Sequence, residues 1–301
     1  MHTIQSGWSV FKRNLKLIFS KPYLLIPMFF SWLILFFASI WFNTTYNIET
    51  MELIELLLVL FAFTFLSTFT IGIASLLILE MIEQLESKGK INPFKALFDM
   101  LSRDLWRALP IIILWSLVDF ILAIIIGFLN SGRKRKNRPK RPKGPIQRAV
   151  EAFRDMVRMG SMMIFTVIAW ENLGPKQSFD KGYRVFKYRF SELVVGWGLN
   201  KVFGFLLGIP IILFLLALQA HLLPLQVTFI VLIIYISFIW SLRKLIEQLF
   251  VSELYLWYLH YERDVDKAKS TGSTPPNSIH DVKRPFFTDK NLDLFTEGDI
   301  L

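Results

Sequence analysis

Asp119 is the one acidic residue deep inside a long apolar block, Pro110 to Leu129. On a helix Ser116, Ala123 and Gly127 share its face. A carboxylate at the centre of a membrane helix costs about 3 kcal/mol on insertion scales, so this face must turn toward protein or water. Two chemistries suit it. One is proton or cation binding on a transport path. The other is a hydrogen bond between helices, and the lack of a second buried acid or a His nearby in sequence favours it. Glu80, Glu83 and Glu86 recur on adjacent helical turns. That spacing could hold a cation and equally suits a solvated helix end. The chain has four His and no Cys, so a thiolate nucleophile, a disulfide and a Cys-ligated metal are excluded. Neither H-E-x-x-H nor G-x-S-x-G occurs. The residues read as those of a non-enzymatic protein with no cofactor and no metal.

Two further patterns carry physical meaning. Arg133, Lys134, Arg135, Lys136, Arg138, Lys140, Arg141 and Lys143 form a basic run, extended by Arg148, with no acid from Asn130 to Val150. Its prolines bar regular helix. It lacks the interleaved aromatics and motifs of a nucleic-acid binder, so no nucleic-acid partner is expected. Contact with anionic lipid headgroups, at ~1 kcal/mol per exposed charge, is the plainer reading. The formal net charge of +10 is read the same way. Separately, Gly196, Asn200, Gly204 and Gly208 fall on a strict four-residue repeat, and Gly204 to Gly208 completes a G-x-x-x-G. This close-packing face is the expected surface for Asp119, with Asn200 as its hydrogen-bond partner and Lys201 within reach.

The elements that must position these residues are membrane helices. Hydrophobic residues make up 53% of the chain, with 29 Phe and 9 Trp, and the mean hydropathy is +0.46. The predicted fold is all-α, a polytopic transmembrane bundle of about six segments: 23–42, 53–79, 110–129, 149–170, 194–218 and 227–242. The last segment should continue as a cytoplasmic helix to 263, with Leu254, Tyr255, Trp257, Tyr258 and Tyr261 as an aromatic band of interfacial type. Residues 1–20 read as an amphipathic interfacial helix rather than a signal peptide, with Ile4, Trp8, Phe11, Leu15 and Ile18 in one stripe. Residues 130–148 form the basic loop. Residues 264–301 read as a flexible cytoplasmic tail in which Pro285-Phe286-Phe287 is a docking element.

The fourth segment is anomalous. Glu151, Arg154, Asp155 and Arg158 occupy its first half. Only Met159–Trp170 is free of charge, which is too short to span alone. The positive-inside rule places the N-terminus and the C-terminus in the cytoplasm. Six full spans would then put the basic run outside, against the same rule. If segments three and four instead dip into the membrane and return, the run stays cytoplasmic. The charge distribution favours that arrangement slightly, while the unbroken third segment opposes it.

Three stretches carry a resemblance. The chain opens with Gly7-Trp8-Ser9-Val10-Phe11, a basic turn and Leu25-Ile26-Pro27. Its middle reads Trp170-Glu171-Asn172-Leu173-Gly174-Pro175 and later Gly196-Trp197-Gly198. Its end has Leu254-Tyr255-Leu256-Trp257-Tyr258 and a Pro-Phe-Phe element. In these it resembles a family of bacterial polytopic membrane proteins known only as a domain of unknown function. A weaker, architectural likeness is to sulfate permeases with half-penetrating hairpins. The resemblance implies a multi-pass protein of the bacterial cytoplasmic (inner) membrane and no particular activity. The expected role is structural: a non-enzymatic assembly or accessory subunit, with membrane lipids and other membrane-protein subunits as partners. The alternative is a permease or channel for a small ion or solute that uses Asp119.

Overall fold

A computed structural model describes residues 2–46, 51–131, 144–219, 225–285 and 287. The basic run Arg133 to Lys143, proposed above to contact lipid, lies outside them, as do Phe286 and residues 288–301. The described chain is helical, with no strand among the described residues. Helix α1 is His2–Ser20, and a 3-10 turn Pro22–Leu25 leads into α2, Ile26–Thr45. Then come α3 (Leu53–Lys88), α4 (Pro93–Asp99), a π turn (Met100–Asp104) and α5 (Leu105–Ser131). After the basic run follow α6 (Pro145–Glu171), α7 (Pro175–Tyr188), α8 (Phe190–Gln219) and α9 (Leu225–Thr271). A short 3-10 turn, Ile279–Asp281, is the last of the described elements.

Local chemistry explains the boundaries. Glu52 and Glu55 form a reciprocal capping box at the start of α3, and Gly89 ends that helix at φ 65°. Asn92 caps α4 ahead of Pro93. Asn172 ends α6 at φ 55°, a conformation Asn tolerates, and Pro175 then starts α7 at a position where its missing N–H costs nothing.

Four stretches are long and apolar enough to cross a membrane: Pro22–Thr45, Leu53–Lys88, Pro93–Leu129 and Phe190–Leu216. The chain is therefore a multi-pass membrane protein by helix length and composition. The first part of α9, 227–242, is also free of charge. At 1.5 Å per residue α3 is about 54 Å long and α9 about 70 Å, so both outrun a ~30 Å hydrocarbon layer.

Burial divides the bundle in two. The apolar portions of α2, α5, α8 and early α9 leave side chains such as Phe37, Trp41, Phe128, Phe205 and Leu213 exposed, as lipid-facing residues are. The packed core lies toward the other end. It joins Ile71–Ile82 of α3, Met159–Trp170 of α6, Leu242–Tyr258 of α9 and Val10–Ile18 of α1. The twelve uncharged residues of α6, too short to span, are thus the central buried rod. Leu254, Tyr255, Trp257 and Tyr258 are likewise buried in this core, where the sequence reading expected an interfacial band. Helix α9 also runs on to Thr271, past the expected end at 263. The segment after it folds back, with Trp257 Nε1 donating to the Val282 carbonyl (3.1 Å) and Phe287 set edge-on to Trp170. Here the chain packs on itself where a flexible tail was expected.

Helices α5 and α6 form a hairpin beside α3. Phe61 meets Phe120, and the hydroxyls of Thr68 and Ser116 pair. Trp170 Nε1 donates to the Leu79 carbonyl, and Arg107 donates to the Asn172 carbonyl (2.9 Å). Ser131 and Gly144 are therefore carried to the end of the bundle where α3 begins. Gly89 and Asn172 sit at the opposite end.

Candidate functional site

The charged first half of α6 organises the site. Arg154 donates through Nε and Nη2 to both carboxylate oxygens of Asp119 on α5, the second bond at 2.7 Å. This fork-to-fork geometry suits guanidinium and carboxylate. Asp119 keeps only 13% of its side chain exposed. One turn on, Arg158 donates to Glu247 of α9 (2.7 Å) and lies 3.1 Å from Asp155. Asp155 also accepts from Trp197 Nε1 (3.1 Å) and from Lys201 (3.0 Å), both on α8. Lys201 lies 3.7 Å over the Trp197 ring. Lys244 reaches Glu247 at 3.5 Å. Ion pairs from α6 therefore tie it to α5 through Arg154 and to α8 and α9 through Asp155 and Arg158.

Glu247 and Lys244 sit just past the expected end of the last span.

Beside the network lies a cavity of about 360 Å³ between α6, α8 and α9. It is lined by Arg158, Lys201, Arg243 and Lys244 with Asp155 and Glu247, and by the apolar Ile211, Ile236, Ile239 and Trp240. The four-residue repeat of α8 borders this region. Asn200 donates to the Arg243 carbonyl at 3.4 Å, and its buried Oδ1 has no hydrogen-bond partner among the described residues. A side chain at Gly196 would collide with Phe250, and one at Gly204 with the guanidinium of Arg243. An added Cβ at Gly208 meets nothing within 4 Å.

The repeat thus packs on α9, not on α5 as the sequence reading expected. Asp119 and Asn200 are not brought together, and Lys201 pairs with Asp155 instead. A physical reason is local. Only residues 220–224 separate α8 from α9, and so short a connection makes the two helices antiparallel neighbours. Sequence reasoning missed Arg154, Asp155, Arg158, Arg243 and Glu247 as members of a site. The available signal was the charged half-segment itself, because charge placed at the depth of an apolar helix needs a partner. Of the three glutamates on α3, Glu80 is buried and accepts from Arg103 at 2.8 Å. It serves a second ion pair at the other end of α5, which also holds Asp104.

No protein-family model matches the chain. None of the curated proteins matches it either.

Proposed function

We propose that the chain is a non-enzymatic structural or assembly protein of a membrane, and that Asp119 clamps two helices rather than carrying an ion. One observation supports this most. Both oxygens of Asp119 are occupied by Arg154, and the neighbouring acids Asp155 and Glu247 are each shared between two cations. A transport acid must be able to release its cation, whereas a carboxylate held by a guanidinium, which stays charged at any ordinary pH, is locked. The test is Asp119→Asn, reconstituted in liposomes beside the native chain. Both should fold, and neither should raise ion flux above that of empty liposomes. A native flux that the folded Asp119→Asn protein lacks would overturn the reading in favour of the permease alternative.

The same geometry supports six crossings over a re-entrant pair. Helix α6 crosses with Arg154, Asp155 and Arg158 paired to α5, α8 and α9, and α1 and Thr271 share the cytoplasmic side. Ser131 and Gly144, the described residues that flank the basic run, then lie on the same side as Tyr46 and Met51, opposite to the arrangement that the positive-inside rule favours. The cytoplasmic membrane of a bacterium is the setting the resemblance implies. Other membrane-protein subunits remain the proposed partners.

A further inference from the structure

The cavity between α6, α8 and α9 is not used by the clamp. Arg158, Lys201, Arg243 and Lys244 face it with two carboxylates, Asp155 and Glu247, so its lining carries a surplus of two positive charges. Both carboxylates are already engaged by Arg158, Lys201 and Lys244. The guanidinium of Arg243 has no carboxylate partner among the described residues, and its buried Nε has no hydrogen-bond partner. Gly204 leaves the room that lets this guanidinium lie against α8. Each lysine retains donor capacity beyond its one acid contact. Unneutralised cations at the edge of an apolar region are costly unless an anion completes them.

We propose that this cavity binds a phosphate-bearing anion, held by Arg243, Lys201 and Lys244. Guanidinium and ammonium groups together are the usual recognition set for phosphate oxygens. A volume of about 360 Å³ falls within the small-ligand range of ~300–1,000 Å³, and a bare phosphate ion would fill only part of it. Ile211, Ile236, Ile239 and Trp240 supply an apolar wall. A glycerophosphate headgroup at the cations with its acyl chains toward that wall uses both halves of the lining. The shared chemistry is the phosphate, from a phospholipid or from free solution.

The full chain, purified in neutral detergent and stripped of lipid, is titrated with phosphatidylglycerol, with phosphatidylcholine and with inorganic phosphate while its unfolding temperature is followed. Phosphatidylglycerol should raise that temperature saturably, and phosphatidylcholine should not. Loss of the charged hydrogen bonds of Arg243 means that Arg243→Gln should weaken half-saturation about tenfold or more. Lys201→Gln keeps Asp155 bonded to Arg158 and Trp197 and should also weaken it, so the test survives if Arg243→Gln fails to fold. Lys269→Gln, on the exposed end of α9, should change nothing. A saturable rise with inorganic phosphate that Lys201→Gln weakens would assign the site to a free anion. The same behaviour with phosphatidylglycerol alone would assign it to lipid. No saturable rise with either probe, or a rise that Lys201→Gln leaves unmoved, as binding at the basic run would give, overturns the proposal.

Discussion

Glu247→Leu is the perturbation that stresses the network hardest. Glu247 is 7% exposed and accepts from Arg158 at 2.7 Å, with Lys244 at 3.5 Å. Removing it leaves Arg158, Lys244 and Lys201 around the single carboxylate of Asp155. Breaking a buried pair by deleting one partner typically costs ~3–5 kcal/mol, because the remaining charge stays desolvated. At the ~2–4 °C per kcal/mol of a large domain, the lower bound of 3 becomes a fall of roughly 6–12 °C in the unfolding temperature. Arg158→Met should cost less, about 1–2 kcal/mol, because Glu247 keeps Lys244 and Asp155 keeps Lys201 and Trp197. The double variant should be less damaged than the sum of the two by at least ~1 kcal/mol, since deleting Arg158 also removes one of the cations that Glu247→Leu leaves around Asp155. The assay is thermal unfolding of the three variants and the native chain in one detergent. Additivity within ~0.3–0.5 kcal/mol would show that the two residues do not interact and would refute the reasoning.

Two other outcomes follow from the packing. Gly196→Leu should destabilise the chain strongly, because it collides with Phe250, while Gly208→Ala should be neutral or slightly stabilising at a site with open space; unfolding temperatures in detergent decide this. A cysteine at Ser131 should react with a membrane-impermeant thiol reagent in intact cells, as six crossings require; protection there with labelling only after permeabilisation would restore the re-entrant pair.

Much of the helical framework was legible in the sequence. Long apolar runs in α2, α3, α5 and α8 match the four membrane-length helices, because hydropathy acts within one helix and needs no knowledge of its neighbours. What escaped was pairing between helices. The α8 repeat was read as a packing face, but its partner was assigned to α5 because Asp119 needed a polar neighbour. That neighbour was Arg154, hidden in a segment whose charges argued against membrane burial. The error has one physical root. A charged residue has a high cost alone and a modest one when paired, and sequence shows the first quantity without the second. Residues 242–258 show a related limit. Their aromatics suit an interface as well as a core, and the packing of α9 on α6, with the fold-back of the segment holding Val282 and Phe287, separates the two.

The central claim is that α6 is one of the packed helices of the bundle, its uncharged half buried and its charged half fixed to α5, α8 and α9 by ion pairs. Hydrogen–deuterium exchange of the native chain in lipid nanodiscs tests this most directly. The expected result is slow exchange along the whole of 147–170, with Glu247→Leu speeding exchange in 147–158 and leaving α2 unchanged. Exchange of 147–158 in the native chain as fast as that of the exposed 272–277 segment would contradict the claim.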